Sequence, residues 1–215
     1  MPGSLMHMAF ANIVYEGIKD LKLDKTEFMI GNILPDEAGN KKLSHYRVKS
    51  SVLTYELPDM EMVKKDLFDL RNPILLGCYA HLYFDYHFFE DYAFALFDWD
   101  DEGDRVTNLK NGLSWTRGEF WTWNVFYSAY GEFNHLILRD KLVDLNEIYK
   151  MPRILPFLDN FRFDERRKTI WIDELQYFIE NELTYTGNIL EYEKSMESLK
   201  RIAKELIDEI LKANH

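Results

Sequence analysis

A chain of 215 residues with 47% hydrophobic and 15% aromatic side chains can bury one full core and is not a disordered composition. Its net charge of −11 opposes broad contact with nucleic-acid phosphates or anionic headgroups, so no nucleic acid is expected as a partner. The lone Cys78 excludes an internal disulfide and a cysteine-built zinc site.

Met6, Phe10, Ile13, Val14 and Ile18 recur at helical spacing and predict a first amphipathic helix ending between residues 17 and 22. Glu16 and Lys19 interrupt its apolar pattern and no basic segment precedes it, so no secretory signal is expected. The apolar run 28–34 should stop at Pro35-Asp36, because proline disfavours helical geometry at the preceding residue. A polar loop with Gly39 and Asn40 as turn formers is expected over 36–51. Residues 60–69 predict a short helix. Asn72-Pro73 then reads as a helix start, with Asn as cap and Pro at the first helical position.

The helix over 73–97 is apolar almost all round and therefore central. Its most apolar part, 73–89, carries His81, Asp85 and His87 and is too short and polar for a membrane span, so no membrane insertion is expected. Residues 98–112 read as an acidic, Gly-containing loop, and 115–138 as an aromatic helix. Pro152 and Pro156 break the chain, and two late helices follow at 171–183 and 192–214. The last carries an apolar stripe through Met196, Leu199, Ile202, Ala203, Leu206, Ile207 and Ile210, which could serve a homodimer as readily as a core. No run of alternating strands stands out. The expectation is an all-α, single-domain multi-helix bundle over 1–215 in the cytoplasm.

The sharpest chemical pattern is His81-x-x-x-Asp85 within the central helix. A spacing of four puts both side chains on one face, where they can grip one cation or hydrogen-bond each other. His7, Asp36 and His45 are bland taken singly, as core or surface histidines and a turn former. Together with His81 and Asp85 they supply the imidazoles and carboxylates that divalent ions prefer when thiolates are absent.

The order His7, Gly31-x-x-x-Pro35-Asp36, Ser44-His45, Gly77-x-x-x-His81-x-x-x-Asp85 resembles the zinc-dependent phospholipase C family, an all-helical group that includes single-strand-specific zinc nucleases. The match covers about residues 5–97. The resemblance implies that Asp36, His45, His81 and Asp85 hold one zinc ion, and that His7 helps hold a second bridged by Asp85. It also implies a general-base role for Asp36 and hydrolysis of a small-molecule phosphoester by a metal-activated water. The secreted trinuclear members use an N-terminal tryptophan and a downstream histidine–glutamate pair four apart; no tryptophan precedes His7, and neither His87 nor His135 is followed by such an acid. One or two ions are therefore expected. His87 lies six residues past His81 and should point away from them.

Tyr46 and Tyr79 are available in sequence as partners for the ligating imidazoles. The aromatic cluster Trp115, Phe120, Trp121, Trp123, Phe126, Tyr127 and Tyr130 reads as a core stripe or as a wall over the metal site, where Arg117 offers a fork for a phosphate. Asp98-x-Asp100-x-Glu102-Gly103 copies the opening of a calcium loop but has Leu109 where the last carboxylate belongs, and reads as a solvated acidic turn. Glu132-x-x-His135 is half of a di-iron motif without its second copy. Arg166-Arg167-Lys168 reads as a solvated face. Two further readings stay open: a helical scaffold or binding protein that keeps the metal site without turnover, and metal-free structural His–Asp pairs.

Overall fold

A computed structural model describes residues 3–38, 40–49, 56–122, 125–144 and 189–214. The predicted helix over 171–183, Pro152, Pro156, the triplet 166–168 and Trp123 lie outside those residues. Helix α1, Ser4–Ile18, buries Leu5, Met6, Phe10, Val14 and Ile18, and a 3₁₀ turn over Lys19–Leu21 ends it within the predicted range. Asp24 caps helix α2, Lys25–Glu37, by accepting from the Glu27 N–H at 2.9 Å.

Helix α2 runs through Pro35 and does not hand over to a loop there. Pro35 sits in the last turn, so the missing N–H and the ring disturb only the helix end. Burial of Phe28, Ile30, Ile33 and Leu34 outweighs the local preference at Leu34. Asp36 therefore projects from a helix and not from a polar loop. The segment after it is also more ordered than expected: Asn40 caps a single-turn helix α3, Lys41–Ser44, and β1, Arg47–Lys49, pairs antiparallel with β2, Glu56–Pro58.

Asp59 caps α4, Met60–Leu67. Helix α5, Pro73–Phe88, starts as predicted, with the Asn72 side chain accepting from the N–H groups of Ile74 and Leu75. Helical backbone continues through a π turn, Phe89–Ala93, and a 3₁₀ turn, Phe94–Leu96.

Beyond it the expected acidic loop is a β-meander of β3, Phe97–Trp99, β4, Arg105–Asn108, and β5, Ser114–Thr116, with Val106 between Trp99 and Trp115. The protein is thus helix-dominated but not all-α. Strands of three and four residues hold too few alternations to register as a pattern. The acidic turn itself is structural: Asp100 Oδ1 accepts from the N–H groups of Asp104 and Arg105 at 2.7 and 3.1 Å. The aromatic segment 115–138 divides in turn, with Trp115 in β5, a capped turn α6, Arg117–Phe120, and helix α7, Phe126–Arg139.

The last helix, α8, Tyr192–Ala213, packs on α1 and α5. Met196, Leu199, Ile202, Ala203, Leu206 and Ile210 are buried within the chain, so of the two uses foreseen for this stripe the structure shows the core. No helix among the described residues is long and apolar enough to cross a membrane.

The contact that positions the site is the crossing of α2 and α5. A Cβ on Gly31 would lie 2.1 Å from the Ile74 carbonyl oxygen, and one on Gly77 would lie 2.2 Å from the Phe28 carbonyl oxygen. Both distances are impossible for a side chain, so the two helices meet backbone to backbone at these glycines. Asp36 stands five residues past Gly31, and His81 four residues past Gly77.

Candidate metal centre

Three imidazoles and two carboxylates converge from four parts of the chain: His7 on α1, Asp36 on α2, His45 at the end of α3, and His81 with Asp85 on α5. His7 Nε2 lies 3.3 Å from Asp85 Oδ1, and His45 Nε2 and His81 Nε2 lie 3.5 and 3.7 Å from Asp85 Oδ2. His45 Nε2 is also 3.5 Å from Asp36 Oδ1, and His81 Nε2 is 4.0 Å from Asp36 Oδ2. Asp85 thus turns one oxygen toward His7 and the other toward His45 and His81. The donor atoms of His7, Asp36 and His81 all lie within 4.8 Å of one another, as do those of His45, His81 and Asp85.

Main-chain carbonyls orient two of the rings. His81 Nδ1 lies 2.6 Å from the Asn32 carbonyl, and His45 Nδ1 lies 2.9 Å from the Lys41 carbonyl. A carbonyl oxygen only accepts, so each contact fixes the proton on Nδ1 and leaves the Nε2 lone pair facing inward. Ser44 supports the second arrangement: its hydroxyl donates to the Pro35 carbonyl at 2.8 Å and lies 3.0 Å from His45 Nδ1. The Asn32 amide, turned to satisfy both neighbours, donates to the His7 carbonyl at 2.9 Å and accepts from the His81 N–H at 3.3 Å.

The inward atoms have no hydrogen-bond partner. His7 Nδ1 and Nε2, His45 Nε2, His81 Nε2 and both Asp85 oxygens are buried and unsatisfied. Each such atom costs about 1–3 kcal/mol if nothing meets it. His7 Nε2, His45 Nε2, His81 Nε2 and the Asp85 oxygens thus face one another as groups that could hold a cation.

The charge states fit the same use. Burial and the neighbouring His7 push His81 down to about 3, against the pull of Asp36 and Asp85, so the ring is neutral near neutral pH. Burial would raise the Asp36 carboxyl, but Lys41, His45 and His81 outweigh it and hold the group well below the usual carboxylate range. Burial likewise opposes ionisation of Asp85, and His7, His81 and His45 overcome it. Neutral imidazole and ionised carboxylate are the forms that ligate. A carboxylate held as low as Asp36 is a weak base, which favours its ligand role over proton abstraction.

The five ligand candidates are therefore brought together, and the other predicted groups are not part of this geometry. Arg117 is exposed on α6, which packs on β4 and β5, and its N–H donates to the Asp104 carbonyl at 2.7 Å. His87 points away as its spacing predicts, with Nδ1 2.9 Å from Asp91 Oδ2. Tyr79 donates to Glu209 Oε1 at 3.1 Å and serves the packing of α8. His135 and Glu132 are half-buried on α7.

Sequence reasoning missed Asn32 and Lys41. Asn32 had a signal, one helical turn before Asp36 on the same face. The Lys41 carbonyl had none, because any residue presents one.

Comparison of the chain with protein-family models, with curated proteins and with solved structures gives no match.

Proposed function

We propose that the protein is a metal-dependent hydrolase acting on a small-molecule phosphate ester. The observation that carries this reading is the set of six buried, unpartnered donor atoms on His7, His45, His81 and Asp85, joined by the Asp36 carboxylate. Asp36, His45, His81 and Asp85 would hold one divalent ion, with zinc the first choice for this donor set. His7 and the second oxygen of Asp85 would contribute to another.

A bound ion of this kind supplies a water that ionises near neutral pH and neutralises charge on phosphoryl oxygens. The chain's own part is to hold the donors in place. Asn32 and Lys41 fix the tautomers of His81 and His45, and the α2–α5 crossing fixes the distance between Asp36 and the α5 pair. The scaffold reading has one observation in its favour: His7, His45, His81 and Asp85 are all at most 2% exposed.

Elemental analysis of untagged protein by plasma mass spectrometry tests the proposal, with Asp85→Ala beside the wild type. The expected result is about one to two equivalents of transition metal, lost in the variant. Loaded protein is then expected to turn over p-nitrophenyl phosphate or its bis ester. Metal without turnover of any phosphoester would leave the scaffold reading. No metal in either protein after reconstitution would end both.

A further inference from the structure

Asp36 Oδ1 stands at the more exposed end of the cluster. It lies 3.5 Å from His45 Nε2, which in turn lies 3.5 Å from Asp85 Oδ2. His81 Nε2 is 3.7 Å from the same Asp85 oxygen. Donors held by one tetrahedral ion at about 2.0–2.2 Å stand about 3.3–3.6 Å apart, close to all three distances. Through Oδ1, then, Asp36 would join the ion held by His45, His81 and Asp85.

The Lys41 ammonium is bonded to that same oxygen, at 2.9 Å. Lys41 opens α3, and its two ends behave differently. The main chain is fixed: its carbonyl meets His45 Nδ1 at 2.9 Å, and the Ser44 hydroxyl ties α3 to the Pro35 carbonyl at 2.8 Å. The side chain is 39% exposed, against 13% for Asp36 and at most 2% for the other four donors. Its tip therefore lies on the solvent side of Asp36, with water to swing into on a flexible four-carbon stem.

Two cations cannot share Oδ1 on equal terms. With a metal bond of about 2.0–2.2 Å on one side and the 2.9 Å contact on the other, ion and ammonium would lie no more than about 5 Å apart. The charge balance points the same way. Without an ion, Asp36 and Asp85 are two carboxylates, and Lys41 compensates one of them. A divalent ion compensates both and leaves the ammonium in surplus.

We propose that Lys41 is a built-in competitor of the bound ion. Its ammonium neutralises Asp36 in protein without metal, and is driven off Oδ1 into solvent when a divalent ion binds. Lys41 thereby sets how tightly the site holds its ion. This rests on the metal site of the reading above and not on the phosphoester reaction.

The test uses the untagged full chain stripped with EDTA, and zinc alone is the probe. Zinc affinity is measured by competition with a chromophoric chelator. Lys41→Met is expected to bind zinc at least about tenfold more tightly than wild type, because the competing charge is gone. Lys41→Gln is the second neutral variant if the methionine variant does not fold. Lys41→Arg keeps a cation at Asp36 and should stay near wild type. Lys42→Met removes the same charge one residue away, from an exposed pair with Glu56 at 2.9 Å, and should also stay near wild type.

Thermal melts should separate the two states. In EDTA the neutral variant should melt below wild type, and with excess zinc that deficit should disappear. Displacement is read on the wild type itself. Amine-specific labelling followed by peptide mass spectrometry should modify Lys41 faster after zinc loading, with Lys42 unchanged.

A neutral variant that binds zinc no more tightly than Lys42→Met would overturn the proposal, and so would an equal gain in Lys41→Arg. Weaker binding than wild type would also overturn it and make Lys41 an orienting partner of Asp36. A melting deficit that zinc leaves unchanged would count against it equally. Lys41 labelling that is unchanged or slower with zinc would overturn it without any variant. Wild type that takes up no zinc would instead defeat the metal reading itself, a distinct result seen before any variant is compared.

Discussion

His7 and His81 lie face to face, their ring centroids 3.7 Å apart and their planes within 6° of parallel. The contact joins the first turn of α1 to the middle of α5, and Phe84 closes it from the edge of His7 at 5.3 Å. Burial first, and then the neighbouring His7, hold the His81 ring neutral near neutral pH, the state in which its Nε2 offers a lone pair to a cation.

Chelation should therefore act on stability as well as on metal content. A ligand that binds only the folded state stabilises it by mass action, by about 2.7 kcal/mol at a hundredfold excess over its dissociation constant. Thermal melts with and without EDTA should show a lower Tm after metal removal. His87→Ala, whose ring contacts Asp91 away from the cluster, should show the same metal-dependent shift as wild type. A shift that disappears in His87→Ala would contradict the ligand assignment.

Substitution of Gly77 by alanine tests the crossing. The new Cβ would need to sit 2.2 Å from the Phe28 carbonyl oxygen, so α2 and α5 must separate. The expected cost is about 1–3 kcal/mol or more, together with weaker metal binding as Asp36 moves from His81 and Asp85. Gly118→Ala meets nothing within 4 Å in the short helix α6 and should leave stability unchanged or slightly raised. Urea unfolding of both variants distinguishes the two effects. Equal midpoints would show that the glycine contact is not needed.

The metal-free protein should weaken as the medium is acidified. His81 titrates at about 3 in the fold against an ordinary 6.5, so the unfolded chain takes up a proton first as pH falls. Stability from this ring is full above about 6.5 and declines as pH falls toward 3. Asp36 and Asp85, held below the ordinary 3.8, add stability that is present above that value and is lost on further acidification. All three act with one sign. Chelated protein melted between pH 7.5 and 4 should give a Tm that falls steadily, and a Tm that rises toward acid would refute the assignment of states.

Cys78 should be silent in the folded protein. It lies on α5 with no exposed surface, and burial pushes its thiol up, so little thiolate forms at neutral pH. Titration with a disulfide reagent should find no reactive thiol until denaturant is added, and one thereafter. Rapid native reaction would mean that α5 opens, and with it the proposed centre.

What could be read in the sequence was chemical type and helical register. His81 and Asp85 are legible as one face because a spacing of four is a property of the helix itself, and the α1 and α8 stripes are legible for the same reason. The passage of α2 through Pro35 was not legible, because it is decided by the burial of Phe28, Ile33 and Leu34 against partners far along the chain. The β3–β5 meander was hidden by its brevity. The carbonyls of Asn32 and Lys41 that orient His81 and His45 were hidden because every residue carries one. Arg117, chosen in sequence as the phosphate fork, stands on α6 beside the meander, whereas the ammonium beside the cluster is Lys41.

The glycine crossing has a consequence for which ions the protein can accept. Where two helices touch through side chains, they can slide or tilt as those side chains change rotamer. Where they touch through carbonyl oxygen against bare Cα, as at Gly31 and Gly77, no such slack exists. The spacing between the donors on α2 and those on α5 is then a fixed aperture. At the proposed metal site such an aperture would favour small transition ions over calcium, which needs longer bonds and more oxygen donors than these five side chains supply.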